Sequence, residues 1–238
     1  MKRLVMISDI HGCVDAFIAL LEKLDFNNDH DQLILLGDYV DRGPNSKETV
    51  ELVMKLVSQS GAVALRGNHD QRLVDLVFQD DDLIRKKFIE HGGLPTLHSY
   101  CGYKVEADKL DTAIAFIRTQ YSKHLEFLRT CPLYHEDEHH IYVHAGLNPA
   151  FYNWKEQPSI DFMYIKEDFH QHSFSLSKRI VFGHTRTIEL HEKPDIWFQP
   201  DKIGIDGGCA YGLQLNALTL WNGIYTSYHI QASQRSGL

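Results

Sequence analysis

The sequence predicts an α/β fold with a largely parallel sheet, and two observations carry that expectation. Short apolar runs alternate with stretches of helical periodicity through the first third of the chain, which is the pattern of βαβ units. Polar clusters follow such runs directly: Asp9/His11, Asp38/Asp41/Arg42, Asn68/His69, His144 and His184. Each cluster is therefore placed where a buried strand ends and a loop begins.

Residues 4–7 read as the first strand. Residues 14–24 follow as a helix with Phe17, Leu20, Leu21 and Leu24 on one face. A second strand over 33–36, a helix over 46–57 and a third strand over 62–65 repeat the unit, and helical crossovers make these strands parallel. From 70 to about 135 the character changes. Residues 71–78, 83–91 and 110–128 have helical spacing with Gly92, Gly93 and Pro95 as punctuation, so a helical insertion beside the sheet is expected. Apolar runs return at 141–143, 180–182, 203–205, 215–220 and 224–230. The last two are joined by Asn222-Gly223, a hairpin signal. The tail 233–238 is expected to fray.

The chain has 238 residues, 43% of them hydrophobic, enough to bury a large core. It is read as a single domain over 1–238. A formal charge of -8 with no basic stripe argues against nucleic-acid binding; the run Arg85, Lys86, Lys87 follows Asp80, Asp81 and Asp82 and reads as a solvated helical face. Cysteines 13, 101, 131 and 209 form no CxxC pair, so they are expected to be reduced thiols. No stretch resembles a signal peptide or the roughly 20 apolar residues of a membrane span. A soluble, cytoplasmic protein with no membrane association and no obligate protein partner is the expectation.

The clusters carry the chemistry. Asp9 and His11 are two residues apart, so at an extended strand end their side chains leave on one side. An oxygen and a nitrogen donor at that spacing suit a divalent ion such as manganese, iron or zinc. Asp38 and Asp41, with Arg42 and two glycines, lie within seven residues after a buried run, where an ionised carboxylate is costly unless it is paired. Asn68 adds a neutral carbonyl oxygen beside His69, while His144 and His184 end two later apolar runs. Each signal has an ordinary structural reading when taken alone, as a turn, a cap or a satisfied histidine. Their common context outweighs it.

DxHG, GDxxDRG, GNHD, HAG and GHT occur here in that order. The ordered set resembles the calcineurin-like metallophosphoesterase superfamily, and the Asp41-Arg42-Gly43 ending is similar to its phosphoprotein phosphatase branch. The likeness runs from residue 4 to about 220. It includes Gly92-Gly93 with Thr96-Leu97, and Ile205-Asp206 with Gly207-Gly208, as in small bacterial and bacteriophage phosphatases and diadenosine tetraphosphate hydrolases. The resemblance implies a four-layer αββα sandwich of two mixed sheets with the site at their shared rim. It also implies two divalent ions, manganese first with iron or zinc as alternatives. Asp9, His11 and Asp38 would hold one; Asp38, Asn68, His144 and His184 would hold the other, with a bridging hydroxide as nucleophile.

By the same likeness His69 is the general acid and Asp41 its orienting partner; a histidine suits the task because its ordinary pKa lies near neutrality and a carboxylate can raise it. Arg42 is the expected bidentate phosphate contact. Arg66 matches a family arginine, and Lys166 stands in Met163-Tyr164-Ile165-Lys166-Glu167 where relatives carry a phosphate-gripping arginine. A lysine supplies the charge without the planar fork. The other eleven histidines, including His139 and His140 in a polar turn, are read as structural. The leading functional expectation is a metal-dependent serine/threonine protein phosphatase. Hydrolysis of dinucleoside polyphosphates such as diadenosine tetraphosphate is the first alternative, because GNHD and HAG are shared with that branch. A non-catalytic interaction module on the same fold is the second.

Overall fold

The computed structural model describes residues 2–79, 81–106 and 109–232; the expected fraying at 233–238 lies outside them. Strand β1 (Arg3–Ile7) leads through helix α1 (Val14–Lys23) to β2 (Asp31–Leu35), and α2 (Ser46–Ser60) leads to β3 (Val63–Ala64). β1 and β2 are parallel with Ile7 opposite Leu35, and β2 and β3 are parallel with Leu35 opposite Ala64. The chain returns to this sheet at its end with the hairpin β9 (Gln214–Trp221) and β10 (Ile224–Gln231), giving the order β10-β9-β1-β2-β3. Asn222 and Gly223 both have positive φ, 49° and 79°, as a tight type I′ connection requires.

The second sheet is built from β4 (Tyr134–Glu136), β5 (His140–Val143), β6 (Arg179–Phe182), β7 (Trp197–Phe198) and β8 (Lys202–Gly204), in the order β4-β5-β6-β8-β7. β5, β6 and β8 run parallel, and the two outer strands are antiparallel to them.

Period-two alternation turns these two sheets into a four-layer stack. Met6, Ile34 and Leu218 of the first sheet meet Tyr142, Val181 and Ile203 of the second in one buried cluster. Val5, Ile7, Leu33 and Leu35 face the other way into a helical layer that includes Phe17, Val50 and Leu73. Ile141, Val143, Ile180 and Phe182 face a second outer layer with Trp154, Phe162 and Phe169. The expected αββα sandwich is the observed architecture.

The helical insertion differs in detail. It comprises α3 (Asn68–Phe78), α4 (Asp82–Glu90), α5 (Leu94–Cys101), α6 (Leu110–Gln120) and α7 (Ser122–Thr130). α3 begins three residues earlier than its apolar spacing suggests, so Asn68 and His69 occupy the first turn of a helix. α5 was not expected, because Pro95 reads as a breaker. Here it stands in the helix's first turn, where the missing N–H has no partner to lose. The periodic stretch 110–128 splits at Tyr121. Helices α8 (Ser159–Tyr164), α9 (Glu167–Gln171) and α10 (Thr187–His191) complete the chain. His140, read as part of a polar turn, is the buried first residue of β5, and its Nε2 lies 2.7 Å from the Tyr225 hydroxyl of the other sheet. Among the described residues no helix is long and apolar enough to cross a membrane.

Met6 is fully buried between the sheets, so Met6→Ala is expected to lower stability by about 2–5 kcal/mol in urea unfolding. A loss under about 1 kcal/mol would show that the sheets close over the gap.

Candidate active site and metal centre

Three parallel strands of each sheet end at one rim. β1, β2 and β3 deliver Asp9 and His11, then Asp38, then Asn68; β5, β6 and β8 deliver His144, His184 and Asp206. The polar ends of parallel strands are where α/β sheets collect ligands. The turns are tight. Asp9, His11, Asp38, Asp41, Arg42 and His184 all have positive φ, six of the nine non-glycine residues with that geometry among the described residues. Asp and His tolerate it better than most types, yet each position costs of order 1 kcal/mol and is held by its surroundings. Gly67 and Gly183 make the approach of segments possible: an added Cβ would lie 2.1 Å from Asp38 Oδ1 and 2.2 Å from Asp9 Oδ2 respectively.

Asp70 does much of the holding. Its carboxylate accepts from the backbone N–H groups of Asp38 (2.8 Å), Tyr39 (2.9 Å) and Gly67 (2.9 Å). It thereby clamps the β2 loop to the start of α3. Asp38 Oδ1 accepts the His69 N–H at 2.9 Å, leaving Oδ2 facing His11 Nε2 at 3.4 Å and His144 Nε2 at 3.5 Å. Asp9 accepts from the Ser8 hydroxyl and, at 2.9 Å, from the His184 N–H; its other oxygen lies 3.9 Å from His11 Nε2. One donor atom each from His11, Asp38 and His69 lies within 4.8 Å of the others, and the same holds for Asp38, His144 and His184.

The proton positions test whether cations fit. The carbonyls of Val40 and Leu36 lie 2.8 Å from Nδ1 of His11 and His144, and a carbonyl only accepts. Both rings therefore carry their hydrogen on Nδ1 and turn a lone pair on Nε2 into the cavity, the arrangement that orients a metal-ligating imidazole. His144 Nε2 lies 3.0 Å from Asn68 Oδ1, which also lies 2.9 Å from His184 Nδ1. As placed, Asn68 Oδ1 and His144 Nε2 turn lone pairs toward one point, which suits a cation. Burial raises the Asp9 and Asp38 carboxyls to about 6, for Asp38 against the favourable charge of Arg42. It pushes Asp206 well above its ordinary value, with Asp9 adding to the effect, and lowers His11, His144 and His184. Divalent ions supply the positive charge these buried groups call for. The donor set fits two of them.

His69 Nδ1 lies 2.8 Å from Asp41 Oδ2, and Asp41 is held in turn by the Thr96 hydroxyl at 2.7 Å. Arg42 and Arg72 both approach His69 Nε2, at 2.7 and 3.1 Å. A guanidinium only donates, so His69 is neutral here, with its hydrogen on Nδ1 toward Asp41. Burial, followed by His11 and the two arginines, keeps its pKa well below the usual value, whereas burial raises Asp41 to about 8. The carboxylate partner does not lift His69 here: desolvation and cationic neighbours outweigh it.

Arg42 and Lys166 line a cavity of about 350 Å³ at this rim, joined by Arg72 and Arg186, which the sequence reading did not single out. Arg42 and Arg186 lie over the Tyr211 ring at 5.0 and 4.2 Å, and Arg72 over Tyr164 at 5.5 Å. Arg66 is not brought to the cavity: its Nη1 donates to the Arg129 carbonyl at 2.9 Å, tying β3 to α7. Asp206 was also missed as a site residue. The signal was present, since it follows the apolar run 203–205 as the other clusters follow theirs.

A family model described as calcineurin-like phosphoesterase matches residues 2–187. The chain belongs to that family. The asymmetrical bis(5'-nucleosyl)-tetraphosphatase PrpE of Anoxybacillus flavithermus is 29% identical to this phosphoesterase over 237 residues, covering 90% of this chain and 88% of that protein. A symmetrical bis(5'-nucleosyl)-tetraphosphatase of Aliivibrio fischeri is 31% identical over 90% of this chain, which spans 65% of that protein's length. A crystal structure described as a candidate diadenosine tetraphosphatase superposes with a TM-score of 0.66 at 22% identity, covering 96% of this chain and 93% of that one, a likeness of fold. This phosphoesterase is a metal-dependent hydrolase, which sets aside the non-catalytic alternative. Its relatives favour the nucleotide alternative over the protein phosphatase.

Replacing the clamp should loosen the centre. Asp70→Asn, which puts an N–H where three backbone donors converge, is expected to weaken divalent-metal binding by about 10–100-fold, read by calorimetric titration. Unchanged affinity would mean that the β2 loop holds its shape without it.

Proposed function

We propose that the chain hydrolyses dinucleoside polyphosphates, with diadenosine tetraphosphate as the representative substrate, in place of the phosphoprotein that the Asp41-Arg42-Gly43 ending first suggested. The observation that carries this reading is the cationic set around the cavity, Arg42, Arg72, Lys166 and Arg186, in a chain whose net charge is -8. One phosphoryl group needs one arginine fork. Cations contributed by four separate segments suit a chain of linked phosphates. The bis(5'-nucleosyl)-tetraphosphatase relatives point the same way.

In this reading residues 1–238 act as one metallophosphoesterase unit. Asp9, His11 and Asp38 would hold one divalent ion, with manganese the first choice, and Asp38, Asn68, His144 and His184 would hold the second. Bound there, such ions would supply Lewis acidity toward water and the phosphoryl oxygens. Arg42, whose guanidinium donates to Nε2 of both His11 and His69, leaves these imidazoles to grip phosphate, and Arg72 follows it. That exchange frees the lone pair on His69 Nε2 to take up a proton from solvent, which it then gives to the departing oxygen while Asp41 keeps the ring in place. Lys166 and Arg186 neutralise the more distant phosphates. Arg66 takes no part.

The test is turnover by the metal-loaded protein of diadenosine tetraphosphate, a phosphoserine peptide and a phosphotyrosine peptide. Two additional charge-assisted contacts at about 1.5 kcal/mol each amount to roughly 10²-fold in kcat/KM for the polyphosphate. A phosphopeptide turned over as well or better would overturn the reading. The leaving groups separate the role of His69. A serine alkoxide needs a proton, whereas a nucleotide phosphate leaves as a weak base. His69→Asn should therefore depress phosphoserine turnover by about 10²–10⁴-fold and polyphosphate turnover by less. Equal losses on both would count against His69 as the proton donor.

A further inference from the structure

A second cavity, of about 210 Å³, adjoins the first and shares Lys166 and Glu189 with it. Its chemistry is different. Beyond the shared lysine it is lined by the carboxylates Glu167 and Glu189, the amide of Gln171, the ring of His170 and the apolar Leu190. Glu189 Oε1 already accepts from Arg186 Nε at 2.7 Å, and with Glu167 beside Lys166 the charges are balanced, which does not suit another phosphate. The carboxylates suit hydroxyl and amino groups, which donate.

Two of the residues that line it each carry a buried polar atom that has no partner. Thr185 is 3% exposed and its hydroxyl has no hydrogen-bond partner; His170 Nε2 is buried and also has none. Both residues line this cavity. Buried polar atoms of this kind are almost always satisfied, and leaving one unpaired is costly. The His170 ring packs at 5.6 Å from Phe182 and 5.7 Å from Phe169, and burial lowers its pKa to about 4. It therefore presents an uncharged nitrogen rather than a cation.

We infer that this cavity is a nucleoside subsite, in which Thr185 and His170 read a base, Glu167 and Glu189 accept from sugar hydroxyls, and Leu190 covers an apolar face. Lys166 stands at the boundary, with phosphates on one side and the nucleoside on the other. This gives the lysine a role that charge alone does not. A compact ammonium with rotatable donors serves two adjoining cavities, whereas a planar fork commits to one. The inference rests on the polyphosphate reading and deepens it by saying where one end of the substrate lies.

The test is binding to the metal-loaded protein, separate from the turnover experiment. The probes are a methylene-bridged, non-hydrolysable analogue of diadenosine tetraphosphate and inorganic tripolyphosphate, which has no nucleoside. Their Kd values are measured for the wild type and for the double variant Thr185→Val/His170→Phe. Neither substitution removes a hydrogen bond present in the fold, and a phenyl ring fits the aromatic surroundings of His170; thermal melts verify folding. The wild type is expected to prefer the nucleoside-bearing probe, and the double variant to lose that preference by about tenfold. Equal preference in the two proteins, or none in the wild type, overturns the subsite. If diadenosine tetraphosphate is turned over efficiently while the preference survives the double substitution, the subsite falls and the polyphosphate reading stands. If phosphopeptides are the better substrates, both fall.

Discussion

Concentrating ionisable side chains at a water-poor rim is the constraint on which the rest of this structure depends. Asp9, Asp38, Asp41, Asp70 and Asp206 are all buried there, and an ionised carboxylate taken out of water costs several kcal/mol unless something answers its charge. Asp70 is answered by three backbone N–H groups and Asp41 by Thr96 and His69. Asp9 and Asp38 are each answered by N–H or O–H donors at one oxygen only; the other oxygen faces imidazole Nε2 atoms, and that is the reason for reading a pair of divalent ions there. The strained turns, the close-packed glycines and the parallel strand ends all serve to keep these groups together against their mutual repulsion.

The insertion is tied into this arrangement. Thr96 of α5 bonds both the carboxylate and the N–H of Asp41, and the carbonyl of Gly92 accepts the Arg42 N–H at 2.7 Å. The residues expected to orient the proton donor and to grip phosphate thus take their positions from a segment that a hydropathy pattern treats as an accessory. Ser46 at the start of α2 joins the same network, 3.0 Å from Thr96.

Much of this was legible in the sequence because one rule governs it. An apolar run of three or four residues followed by Asp, Asn or His marks a strand end at the rim, and the rule located Asp9, Asp38, Asn68, His144 and His184 without reference to distance. Applied evenly, it also marks Asp206. What escaped had physical reasons. β4 and β7 are three and two residues long, too short for alternation to register. Pro95 breaks a helix interior but not a first turn. Arg72 and Arg186 are single cations in helical or loop sequence, where solvated charge is the common case, and only the fold turns them toward the cavity. Arg66 shows the converse: a matching residue type whose direction is set by a carbonyl on α7.

The protein separates two tasks between two kinds of backbone. Apart from Asn68, which opens α3, the donors read as ion ligands stand in the loops just beyond the ends of hydrogen-bonded strands, whereas apart from Arg42 the cations and aromatic rings that border the cavity come from helices and connecting segments: Arg72 from α3, Lys166 before α9, Arg186 before α10, and Tyr211 from a short turn ahead of β9. Drift in those segments can reshape the choice of phosphorylated compound while the reactive centre stays intact. A scaffold divided in this way is open to diversification by exchange of its periphery, one segment at a time.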